Sequence, residues 1–167
     1  MLPFAPQRAL LTTIPGVDAL TAAAIIAEIG TDMSAFGSAQ RLAAWAGACP
    51  ASHESAGKQK RHGTRKGNTF LKATLVTAAV SASQAKGTDF RDKFHRLKAR
   101  MGAKKAAMAV AHKILGAIFH MLQRGVEFAD LGGDYLDRID KHRTAKRLVR
   151  RLGALGYEVM LRPRTAA

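Results

Sequence analysis

The chain has 167 residues, of which 47% are apolar, and a formal charge of +15 with a pI near 10.8. The length suits one domain with its own core, and the apolar share excludes wholesale disorder. The charge excludes an ordinary mixed-sign surface and points to a polyanionic partner, with nucleic acid favoured over an anionic membrane surface.

From the N-terminus, 1–7 holds two prolines and lacks the basic start and apolar core of a secretory signal. The single cysteine, Cys49, rules out an internal disulfide and a zinc-type cysteine cluster, as expected of a cytoplasmic protein. The longest alanine-rich stretches are interrupted by Lys, His or Gln, and none is expected to reach spanning length.

The pattern that follows is mainly α. Over 9–30 a short apolar helix meets Pro15-Gly16, and a second helix starts at Asp18, a candidate N-cap, and stops at Gly30. This I-P-G-V-D-A-L-T-A segment resembles a helix-hairpin-helix unit, in which a glycine turn offers backbone N–H groups to a phosphate, making Gly16 a candidate nucleic-acid contact. Asp18 replaces the usual second glycine and would repel a phosphate. The turn therefore also reads as a capped structural corner or a protein-binding surface.

A helix over 38–46 should turn Leu42 and Trp45 inward. Over 65–85, Phe70, Leu71, Leu75, Ala78, Ala79 and Ala82 recur at helical spacing and predict one buried stripe, with Lys66 and Lys72 outside it. A cationic helix over 89–100 carries Phe90, Phe94 and Leu97. The longest helix, 103–122, places Val110, Ile114, Leu115, Ile118 and Leu122 in the core. A loop with a short acidic segment follows over 125–140, then a basic amphipathic helix over 138–155 and a short terminal strand from Gly156 to Arg162. Within a single domain over 1–167, the basic serine loop is placed at 50–67 and the remaining helical part at 68–155.

The segment H-E-S-A-G-K-Q-K-R-H-G-T-R-K-G-N-T-F-L-K, 53–72, is the most informative. It sets Ser55 before six cations, Lys58, Lys60, Arg61, Arg65, Lys66 and Lys72, with no acid until Asp89. Such a run attracts phosphodiesters, and Ser55 on a small-residue turn at its edge is a candidate nucleophile. On charge alone, a solvated basic loop with an incidental serine explains it as well. His53 and His62 flank the loop, where they would relay a proton or simply be solvated. His112 and His120 are eight positions apart, a spacing that does not converge on a metal. Asp130, Asp134, Asp137 and Asp140 share roughly one helical face, which suits surface ion pairs better than a metal site.

Three blocks, I-P-G-V-D-A-L-T-A-A-A-I-I-A-E-I-G, F-G-S-A-Q-R-L-A-A-W-A-G-A-C-P and E-S-A-G-K-Q-K-R-H-G-T-R-K-G-N-T-F-L-K, resemble the C-terminal domain of transposases of the insertion-sequence-110 family, also called the 116 and 902 group. K-K-A-A-M-A-V-A-H-K-I-L, D-L-G-G-D-Y-L and R-L-V-R-R-L-G-A-L-G-Y-E-V extend the likeness to nearly the whole chain, about 9–163. The resemblance implies a recombinase whose C-terminal serine attacks DNA to form a phosphoserine link. In that scheme an N-terminal RuvC-like domain holds magnesium in an acidic tetrad, and a structured bridge RNA guides the enzyme.

The family's S-A-G block falls on Ser55-Ala56-Gly57, so the resemblance makes Ser55 the nucleophile. No tetrad residue carries over, and this chain is expected to lack the RuvC-like domain and to hold no cofactor of its own. The implied partners are DNA, guide RNA and a RuvC-like domain of the same or another subunit, in a homo-oligomeric full enzyme with no membrane role. Two rival readings are a noncatalytic nucleic-acid-binding remnant of a truncated element and a ribosome- or repair-associated hairpin protein. The S-A-G-K and R-K-G-N blocks argue against the latter.

Overall fold

The computed structural model describes residues 3–50, 54–55, 58–59, 64 and 66–162. In chain order the elements are α1 (Ala5–Leu11), α2 (Ala19–Ile29), a single 3-10 turn (Met33–Ala35), α3 (Ala39–Trp45), β1 (Glu54–Ser55), β2 (Lys58–Gln59), α4 (Thr69–Ala82), α5 (Asp89–Met101), α6 (Ala103–Arg124), α7 (Tyr135–Ile139) and α8 (Lys141–Ala154). The architecture is mainly helical.

The central element is α6. Val110, Ile114, Leu115 and Ile118 on it are fully buried, and α1, α3, α4 and α5 pack around it. Full burial of each such side chain contributes roughly 1.5–3 kcal/mol, so this helix dominates the core. Leu122 is partly buried. Contrary to the expectation that no apolar stretch reaches spanning length, α6 is long and apolar enough by length and composition to cross a membrane. Here those same properties serve a helix buried by neighbours on several sides.

Local chemistry sets the helix ends. Asp18 caps α2 by accepting a hydrogen bond from the Thr21 amide at 2.7 Å, and Gly30, at φ 68°, ends the helix with its N–H on the Ile26 carbonyl. Ser38 caps α3 and Thr88 caps α5 in the same way. On α4 the buried residues are Leu71, Leu75, Ala78, Ala79 and Ala82, spaced i, i+4, i+7, i+8 and i+11. The small residues of this stripe let another backbone approach closely. A Cβ on Gly16 would lie 2.4 Å from both the Ala78 carbonyl oxygen and the Ala82 nitrogen.

Four expectations need correction. Phe70 is 57% exposed, because it stands one residue, about 100° of helix rotation, off the buried stripe. Trp45 is 45% exposed: Leu42 and Ala43 take the core side of the short α3, and the indole packs obliquely on Phe36 at 5.4 Å. The single basic helix expected over 138–155 is two, broken at Asp140, whose φ of −128° and ψ of 66° are not helical and whose carboxylate caps α8 by accepting from the Arg143 amide. The terminal strand does not form over 157–162, which pair with neither β1 nor β2.

The loop between α6 and α7 is stitched to the body. Thr13 accepts from the Phe128 amide, Asp130 from the Asp89 amide, and the Gly133 N–H donates to Gly87. Phe128 stacks on the buried Phe90 at 5.1 Å.

Candidate nucleic-acid interface

The basic serine segment leaves α3 and returns at α4 as an antiparallel excursion. Pro50 bridges Thr64 near its base, and further out Glu54 pairs with Gln59 and Ser55 with Lys58. The expected loop therefore contains a β-hairpin, with Ser55 ending the first strand and Lys58 opening the second directly across from it. Lys60, Arg61 and Arg65, together with His53 and His62, lie outside the described residues. Lys66 is exposed, and Lys72, on the first turn of α4, is half-buried with its ammonium donating to Thr64 Oγ1 at 3.4 Å.

The root of the hairpin is tightly fixed. Gly67 sits against the end of α3, where a Cβ would come within 2.4 Å of the Gly47 nitrogen and 2.6 Å of the Ala46 carbonyl carbon. The next residue, Asn68, caps α4 by accepting from the Leu71 amide at 2.9 Å and donates its side-chain amide to the Glu28 carboxylate on α2. Thus the G-N of R-K-G-N ties the return strand to three helices. Glu28, Gly47, Gly67 and Asn68 escaped sequence reasoning as site-building residues. The signal that was available is the G-N pair placed just before an apolar-periodic run.

Exposed aromatics flank this root. Phe70 follows Asn68 by two residues, and Trp45 precedes Gly47 by two. Between cations, such rings offer apolar faces at a wet surface.

The α1–α2 turn has another geometry. Gly16 adopts φ 86° and is pressed onto α4, and the Asp18 carboxylate occupies the N-terminus of α2. Hydrogen bonding from Thr21 holds the Asp18 carboxyl below its ordinary pKa, so the group is anionic at neutral pH. Packing is a sufficient reason for the glycine at position 16.

The acidic residues 130–140 are engaged individually. Asp137 contacts Arg96 at 2.8 Å and Arg147 at 3.6 Å, and Asp134 contacts Arg138 at 3.3 Å. Asp130 accepts from backbone amides, and Asp140 caps α8. Among the described residues no group of three or more His, Cys, Asp or Glu is arranged to hold a metal ion. His112 is half-buried beside Lys93, and burial, followed by that ammonium, pushes its pKa down.

The sequence of this helical body and its Ser55–Lys58 hairpin matches a known class. The family model described as "Transposase IS116/IS110/IS902 family" matches residues 8–95, more than half of the chain. The chain belongs to this transposase family. It is 30% identical over 122 residues to the uncharacterized 43.6 kDa protein of insertion element IS110 from Streptomyces coelicolor, covering 72% of this chain and 30% of that protein. It is 32% identical over 116 residues to the transposase for insertion sequence element IS1111A from Coxiella burnetii, covering 67% of this chain and 32% of that one. The chain thus spans about a third of the length of the curated relatives it matches.

Proposed function

We propose that this chain forms the DNA-engaging, serine-bearing part of a transposase, with Ser55 as the nucleophile in strand cleavage and exchange. The observation that carries the reading is the placement of Ser55 opposite Lys58 on a cationic hairpin whose root is clamped to α2, α3 and α4. The root fixes where the cation-rich segment leaves and rejoins the helices, and holding a reactive group near a bound backbone is what positioning contributes to phosphoryl transfer.

In the proposed step the Ser55 Oγ forms a bond to phosphorus and loses its proton to a base. The bond from phosphorus to the departing sugar oxygen breaks, and that oxygen takes up a proton. The phosphodiester is conserved as a phosphoserine, ready for transfer to a second strand. Lys58, Lys60, Arg61, Arg65, Lys66 and Lys72 neutralise phosphate charge in this reading.

The carboxylates of 130–140 do not suit magnesium, since Asp137 and Asp134 are paired with arginines and Asp130 and Asp140 accept from backbone amides. No step is therefore routed through a metal in this chain. The reading assigns the metal site to a RuvC-like domain on the same or another subunit, and targeting to a guide RNA.

The test is reconstitution of this chain with such a domain, magnesium and guide RNA, followed by trapping of covalent protein–DNA adducts and peptide mapping by mass spectrometry. The expected adduct is on Ser55, and Ser55→Ala abolishes it while DNA binding persists. An undiminished adduct in the alanine variant, or a linkage mapped elsewhere, refutes the assignment. Binding without any adduct favours a noncatalytic nucleic-acid-binding remnant.

A further inference from the structure

A cleft of about 750 Å³ lies between α5 and the α7–α8 arm, formed by elements that do not build the hairpin's root. Its walls are cationic. Arg143, Lys146, Arg147 and Arg150 fall at i, i+3, i+4 and i+7 on one face of α8, and Arg96 and Arg100 fall at i and i+4 on α5. Its floor is apolar, made by Leu97, Leu136 and Ile139, of which Ile139 is 63% exposed.

The charges in the cleft divide into two sets. Asp137 braces the walls by binding Arg96 and Arg147 while accepting from the Thr144 hydroxyl at 2.8 Å, and Asp92 holds Arg96 Nε at 2.6 Å. Asp140, at the edge, accepts the α8 capping bond. Arg100, Arg143, Lys146 and Arg150 form no salt bridge among the described residues. The braced pairs fix the shape of the cleft and leave its remaining cations uncompensated.

We propose that this cleft binds an unpaired polynucleotide strand, with phosphates on Arg100, Arg143, Lys146 and Arg150 and base faces on the Leu97–Leu136–Ile139 floor. Charge complementarity selects a polyanion. The floor selects among polyanions, because only unstacked bases offer apolar faces at the same spacing as the phosphates. A duplex keeps its base faces covered and so offers nothing to the apolar floor. The inference shares with the proposed function only its class of partner and does not depend on Ser55 chemistry.

The experiment measures fluorescence anisotropy of labelled short single strands, DNA and RNA in separate arms, and of a labelled duplex, titrated with the purified full chain at low salt. The variants are the triple Arg100→Gln, Lys146→Gln, Arg150→Gln and the single Ile139→Ser. All four side chains are exposed, so the fold is retained and circular dichroism checks it.

The triple variant is expected to weaken single-strand binding by about tenfold or more and duplex binding much less, since the hairpin is intact. Ile139→Ser is expected to weaken single-strand binding with no change in its salt slope. Binding of either sugar type supports the proposal, and a difference between the arms identifies which strand is preferred. Unchanged single-strand affinity in the triple variant, equal losses on duplex and single strand, or equal competition by polyglutamate at matched charge overturns it. Neither single strand binding the wild-type chain overturns it as well. This assay reads binding and not adduct formation, so failure here is separable from failure of the nucleophile assignment.

Discussion

Asn68, the residue just before α4, donates its side-chain amide to the carboxylate of Glu28 on α2 while its carbonyl oxygen caps α4. One side chain thus serves both a helix terminus and a contact forty positions away in sequence. Asn68→Ala removes both bonds and is expected to cost about 1–2 kcal/mol in urea denaturation. Glu28→Gln keeps an acceptor for Asn68, so it should cost visibly less. Equal losses in the two variants contradict this account.

Two glycines should respond with opposite signs to the same substitution. At Gly16 a methyl group would meet the α4 backbone at 2.4 Å with φ at 86°, so Gly16→Ala is expected to destabilise by roughly 2 kcal/mol or more. At Gly116, within α6, an added Cβ meets nothing within 4 Å, and Gly116→Ala is expected to stabilise by roughly 0.5–1 kcal/mol through helix propensity. Thermal melts of the two variants compare them directly. A stabilised Gly16→Ala shows the contact with α4 to be incorrect.

Stability should fall on mild acidification through His112. Its environment comprises Lys93 on α5 and, on α6, Lys113, which is ion-paired with the buried Asp89. Burial first, then Lys93, depresses its folded pKa below the ordinary 6.5. Above that ordinary value the imidazole is neutral in both states and contributes no pH dependence. As pH falls through it toward the folded value, the unfolded chain takes up the proton first, so stability declines, and the loss is complete below the folded pKa. His112→Gln should flatten the urea-midpoint slope between about pH 7 and pH 5. An unchanged slope assigns the effect to another group.

Binding of DNA by the full chain should be strongly salt-dependent, given a net charge of +15 and three cation-rich segments of the sequence, 58–72, α5 and α8. With several phosphate contacts, affinity is expected to fall by orders of magnitude between about 50 and 200 mM salt. Anisotropy titrations across that range give the slope. A flat response removes the electrostatic basis of the proposed function.

The helices were legible where local chemistry determines them. Asp18, Gly30 and Ser38 bound their helices as their side chains or φ freedom dictate, and the Val110–Ile118 periodicity marks the central helix. What escaped depends on contacts distant in sequence or on small rotations about a helix axis. Phe70 is a fitting apolar residue one position off the stripe, and Trp45 finds Phe36 instead of the core. The alternating 156–162 segment has strand character but pairs with neither β1 nor β2, and pairing, more than propensity, makes a strand. The hairpin of Ser55 and Lys58 was hidden for the converse reason: a polar, cationic sequence carries no apolar alternation, yet its ends are brought together by Pro50, Thr64 and the Gly67 contact. The choice of Ser55 as nucleophile rests on family resemblance, since charge alone does not single out one hydroxyl.

Because Pro50 and Thr64 already face each other near the point where the chain leaves and rejoins the helices, the body is indifferent to the contour length of what lies between them. Closing a longer excursion costs free energy that grows only logarithmically with its length. Insertions or exchanges between these two residues should therefore leave α2, α3 and α4 assembled, and the reach and chemistry of the tip can diversify without re-engineering the scaffold that holds it.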